Sequence, residues 1–128
     1  MYKVIKINEA AATRTMELKN METGSNIECF DDSALVSFEN FEFMEVGSVY
    51  DCKVKLFGKV VDIQTEQSIL CEALKECVIG KKKFLEVCVK EDIYYVSLEM
   101  GLEKSMFHFE STRKDLIQVN DIIHDDLK

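Results

Sequence analysis

The chain contains no proline, only two histidines and five glycines, Gly24, Gly47, Gly58, Gly80 and Gly101, none adjacent to another. Without proline, its turns depend on glycine, asparagine, aspartate and serine. Isolated glycines leave no phosphate-cradling loop, which excludes nucleotide hydrolysis by that route. His108 and His124 have no second histidine or cysteine at ligand spacing, and Cys71 and Cys77 are separated by five residues. No structural zinc site, and no other metal or cofactor, is expected from such a set. No apolar run approaches the ~18 residues that cross a bilayer. The opening Met1-Tyr2-Lys3-Val4-Ile5-Lys6-Ile7 alternates polar and apolar residues, where a secretory signal needs an unbroken apolar stretch. A cytoplasmic protein without a membrane span is the expectation. Basic charge is also scarce: 24 acidic residues against 16 basic ones give a net charge of -8, so the average surface repels phosphate backbones and anionic lipid.

What remains is a chain of 128 residues, the length of one compact domain, 1–128. Its 47% hydrophobic and 31% charged residues argue against disorder and against a fibrous protein. Cys29, Cys52, Cys71, Cys77 and Cys88 are odd in number and lie among apolar neighbours; they read as reduced core thiols.

Period-two alternation marks several strands. Lys3 to Ile7 and Met16 to Leu18 form one long bent strand or a hairpin, with Ala10-Ala11-Ala12 as the bend. Asn26 to Phe30 is a short strand, closed by Asp31-Asp32-Ser33. Ala34 to Glu45 reads as half-buried extended chain. Val49 to Val61 is the clearest strand, and Gly58 inside it predicts a bulge or a close backbone approach. Between Asp62 and Ile79, the rows Ile69, Ala73, Cys77 and Leu70, Leu74, Val78 are spaced i, i+4 and predict a helix. Gly80 would end that helix in a left-handed conformation, with Lys81 to Lys83 at the negative end of its dipole. Phe84 to Val89 and Ile93 to Met100 are two further strands. Met106 to Phe109 and Leu116 to Ile123 are short extended candidates, followed by a charged tail.

The expected class is mainly β, a β-rich α+β fold. The long bent first strand, the strand Val49 to Leu56 and a helix between the third and fourth strands together resemble the oligonucleotide/oligosaccharide-binding (OB) fold, a five-stranded Greek-key barrel. The resemblance covers roughly residues 1 to 100, with a C-terminal extension beyond it. It implies a ligand groove on the barrel strands: Lys53, Lys55 and Phe57, with Tyr94 or Tyr95, would contact a single-stranded nucleic acid.

Charge distribution points elsewhere. Between residues 21 and 51 the chain carries Glu22, Glu28, Asp31, Asp32, Glu39, Glu42, Glu45 and Asp51 and no lysine or arginine. That block also holds Phe30, Phe38, Phe41, Phe43 and Tyr50. Aromatic anchors rimmed by carboxylates suit a basic protein partner, which places the candidate contact residues at Asp31, Asp32, Glu39, Phe41, Glu42, Phe43 and Glu45. In general character, small, acidic and without a signal or catalytic motif, the chain resembles bacterial toxin-immunity proteins, and that resemblance implies neutralisation of a basic, nuclease-like toxin. An enzyme is not expected. Cys71 sits among apolar neighbours, where burial raises a thiol's pKa. His108, between Phe107 and Phe109, faces away from both and has no evident partner.

Overall fold

A computed structural model describes residues 1–36, 40–98 and 105–128. Among these residues ten strands dominate: β1 (Tyr2–Glu9), β2 (Arg14–Asn20), β3 (Asn26–Asp31), β4 (Val49–Tyr50), β5 (Cys52–Val61), β6 (Ser68–Ile79), β7 (Lys82–Val89), β8 (Asp92–Ser97), β9 (Met106–Val119) and β10 (Ile122–Ile123). The one α-helix among the described residues is α1 (Ser33–Val36), and a 3-10 turn covers Asp125–Leu127. The fold is mainly β.

Strands β5, β8, β7, β6 and β9 close on themselves as a five-strand barrel, compatible with an OB-like topology. The barrel occupies Cys52 to Val119 rather than the first hundred residues. The first strands lie outside the ring, in the order β4-β1-β2-β3, and join it through β3 and β9. β1 and β2 are a hairpin, with a bulge between Val4 and Lys6 and a backbone bond from Ala10 N–H to Thr13 in the turn.

The expected helix between Asp62 and Ile79 is instead strand β6. Residues four apart share a helix face, but four is also a multiple of two, so the same residues share a strand face. Cys71 and Ile79 point inward, while Leu70, Leu74 and Val78 stay exposed on the other side. A register shift between Ala73 and Lys75 blurs the alternation further. Gly80 is left-handed as expected, at φ +63°, but it opens a two-residue turn from Ile79 to Lys82. Glycine in the first loop position is the mark of a type II′ hairpin.

Two other expectations change. Ala34 begins no extended chain, since Ser33–Val36 is helical. Met106 to Phe109 and Leu116 to Ile123 are not separate strands: the first belongs to the 14-residue β9, which runs on through Leu116 to Val119. That length lets β9 pair with β5 from Val119 back to His108, while its other edge meets β6 at one end and β3 near the other.

The main core is shared by barrel and hairpin. Val4, Met16, Leu18 and Cys29 from the N-terminal strands pack with Val54, Leu56, Phe109, Leu116 and Val119 from the barrel. Each fully buried side chain of this kind contributes about 1.5–3 kcal/mol. A second, smaller cluster of Ile79, Phe84, Tyr95 and Ile117 is closed by Leu127 from the C-terminal extension.

Candidate functional site: an anchored acidic loop and a cation-aromatic wall

The acidic loop from Asn40 to Ser48, ahead of β4, is held from beneath by a buried polar network. Arg14 directs Nε and Nη2 at Asp31 Oδ2, 3.2 and 3.0 Å away, and Nη2 also donates to the Phe41 carbonyl at 2.5 Å. Asp31 Oδ1 accepts from Ser33 N–H, and Ser33 Oγ from Phe41 N–H. A turn bond from Met44 N–H to the Phe41 carbonyl follows, so Phe41 and Met44, three apart, both point inward and are buried. The next stretch is fixed on β1 by bonds from Gly47 N–H to Val4 and from Val4 N–H to Ser48. Tyr50 completes the anchoring: its hydroxyl accepts Glu45 N–H at 2.9 Å, and its ring meets Phe43 edge-on at 5.6 Å.

This anchoring sorts the expected contact residues. Glu42, Phe43 and Glu45 are brought together on the surface beside Val46, with Phe43 40% and Val46 59% exposed. Among the described residues, neither Glu42 nor Glu45 has an ion-pair partner. Phe41 and Asp31 are interior groups that hold the loop, and Asp32 is engaged by His124. Glu39 and Phe38 lie outside the described residues. The other acids of the block disperse: Glu22 pairs with the N-terminal ammonium at 3.1 Å, Glu28 lies on β3, and Asp51 precedes β5.

On β5, Lys53, Lys55 and Phe57 alternate with inward Cys52, Val54 and Leu56 and form one outer face, as expected. Their β9 neighbours are Gln118, Asp115 and Arg113. Arg113 on this face is satisfied internally, while Phe57 stays 47% exposed. The Arg113 guanidinium lies 4.5 Å from the Phe30 ring centre and 4.8 Å from that of Phe57, and bonds Asp115 at 2.5 and 3.1 Å. Those bonds hold Arg113 still more firmly in its charged form. Lys55 lies 5.7 Å from the Phe57 ring and Lys53 5.8 Å from that of Tyr95. Tyr94 and Tyr95 are themselves buried. Cations on an aromatic face compete with a stacking base for it.

A third grouping joins the residue ahead of α1 to the C-terminal extension. Asp32, His124 and Asp126 bring one ligand-type atom each within 4.8 Å of one another. Both imidazole nitrogens of the buried His124 have partners: Nδ1 accepts Asp126 N–H at 3.1 Å, which leaves Nε2–H to donate to Asp32 at 2.7 Å. The ring therefore acts as a clasp between α1 and the tail. His124-Asp125-Asp126 is visible in the sequence as a cluster at the tail, but Asp32 is 92 positions away and has no spacing signal.

Cys29, Cys52 and Cys71 are core thiols as expected, whereas Cys77 and Cys88 are only partly buried; burial raises the pKa of all five, Cys71 to about 11 and Cys52 to about 12. His108 lies on the outer face between Val61 and Leu70, and its Nδ1 is buried without a hydrogen-bond partner among the described residues. No helix among the described residues is long and apolar enough to cross a membrane. Comparison with protein-family models, curated proteins and solved structures finds no match.

Proposed function

We propose that the protein is a non-enzymatic binding module that engages a basic protein through Glu42, Phe43, Glu45 and Val46, acting as an immunity protein for a nuclease-like toxin. The observation that carries this reading is the anchored loop itself. It presents two carboxylates without an ion-pair partner among the described residues and two exposed apolar side chains, on a backbone already fixed by Arg14, Tyr50 and β1. A pre-ordered loop loses little entropy on association. Its apolar centre and charged flanks match the division of labour at protein interfaces, where aromatics anchor and charges steer. The nucleic-acid reading of Lys53, Lys55 and Phe57 has weaker support, because Lys53 already lies by the Tyr95 ring, while Lys55 and Arg113 occupy the Phe57 ring on which a base would stack.

Capture of partners from native lysate, followed by rate measurements on the purified partner, tests the proposal. The captured protein is basic, arrests growth when expressed alone and is harmless when co-expressed with this chain. The double variant Glu42→Lys/Glu45→Lys associates about tenfold more slowly or worse, and raising the salt slows the native pair steeply. Unchanged association of the double variant would remove the loop from the interface. Salt-sensitive binding of labelled single-stranded DNA or RNA would favour the barrel wall instead.

A further inference from the structure

β9 changes neighbours along one edge. Met106 to Glu110 pair with β6, and Asp115 pairs with Phe30 of β3 in a single parallel bridge. Between these points, Ser111 to Lys114 have no ladder partner on that edge among the described residues. Asn26 to Cys29 of β3 likewise lack one on the side facing β9. The two strands diverge there and leave a cleft of about 320 Å³, lined among others by Thr15, Glu28, Phe30, Thr112, Arg113 and Lys114. The Arg113 carbonyl already accepts from Ser111 Oγ at 3.3 Å, but a strand edge without a ladder partner is still a template for another extended chain.

The lining narrows what that chain is. Arg113 is neutralised by its two bonds to Asp115. Lys114 has no carboxylate within ion-pair distance among the described residues; it sits opposite the inward Leu56, with its ammonium 5.9 Å from the ring of buried Tyr94. An uncompensated, half-buried cation at the side of a cleft selects an anionic group. The volume is at the small end for ligand sites and takes two or three extended residues, not a folded element. Exposed Glu28 repels acidic side chains further along the ligand. We infer that this cleft captures the C-terminus of a polypeptide, its last residues extended along Ser111 to Lys114 and its terminal carboxylate at the Lys114 ammonium. The inference is independent of the acidic loop, which lies on different elements.

A fluorescein-labelled hexapeptide of alternating valine and threonine, prepared as the free acid and as the C-terminal amide, tests it by anisotropy with the intact protein. The free acid binds about tenfold more tightly than the amide, and in amide-resolved NMR it shifts Ser111 to Lys114 first. Lys114→Met keeps the aliphatic stem and removes the charge, so it brings the free acid down to the affinity of the amide. If that variant does not fold, the acid and amide comparison and the NMR map on the native protein decide the matter. Equal affinities, no binding up to about 1 mM, or shifts centred on Lys55 and Phe57 overturn the inference. So does displacement of the peptide by a single-stranded oligonucleotide.

Discussion

Arg14 reaches Asp31 and the Phe41 carbonyl at once, so removing its guanidinium strands a carboxylate that is only 3% exposed. Arg14→Met is expected to cost about 3–5 kcal/mol in urea unfolding, and Arg14→Met/Asp31→Leu to recover much of that loss, because the double change removes both buried charges. No recovery would mean that the pair acts through shape alone. Steric crowding gives a second residue-scale prediction. A Cβ at Gly58 would lie 2.0 Å from the Glu110 carbonyl oxygen, so Gly58→Ala forces β5 and β9 apart and should cost about 1–3 kcal/mol. Gly58 was legible in the sequence, as an isolated glycine in a strong strand pattern, and the structure shows both a register shift beside it and the close approach. Phe41 was not legible. Its spacing from Phe43 suits one face of an extended chain, but the turn at Phe41 to Met44 puts Phe41 inside and Phe43 outside.

At the scale of elements, β6 and the C-terminal extension mark where sequence periodicity stops being informative. Ile69, Ala73 and Cys77 satisfy a helix and a strand equally, and only their pairing with β7 and β9, a long-range fact, decides between them. By contrast, the alternation of β5 survives because one face carries lysines and the other Cys52, Val54 and Leu56. The extension reads as a charged tail, yet its Leu127 is buried against Ile79, Phe84, Tyr95 and Ile117, and its carbonyl bonds Lys81 N–H. Leu127→Ala should therefore cost about 2 kcal/mol or more, a loss invisible to any reading of the tail as solvated. Its checks are the urea midpoint and faster proteolysis of the last residues. An unchanged midpoint would show that the second cluster is closed without the tail.

For the whole molecule, barrel and hairpin share one core, and that core is rich in protonated acids of high pKa. Burial raises Cys71 to about 11 and Cys52 to about 12, from an ordinary 9.0, and lifts Tyr2 and Tyr94 well above 10.0. The unfolded chain releases these protons as pH passes 9, while the folded chain keeps them. The native state then binds more protons than the unfolded one, and stability falls as pH rises. Well below pH 9 both states are protonated and these groups contribute almost no slope. Between pH 9 and 11 each retained thiol proton contributes a loss of up to about 1.4 kcal/mol per pH unit. Urea midpoints measured by circular dichroism should thus be nearly insensitive to these groups from about pH 6 to 8 and decline increasingly above that. Cys71→Ala lowers stability at every pH, through the cavity it leaves, but makes the decline shallower over the window from 9 to 11. Because slope and offset are separate readouts, a variant with the native slope would show that Cys71 ionises in the folded protein as freely as in the unfolded chain, and would place the shared core in contact with solvent.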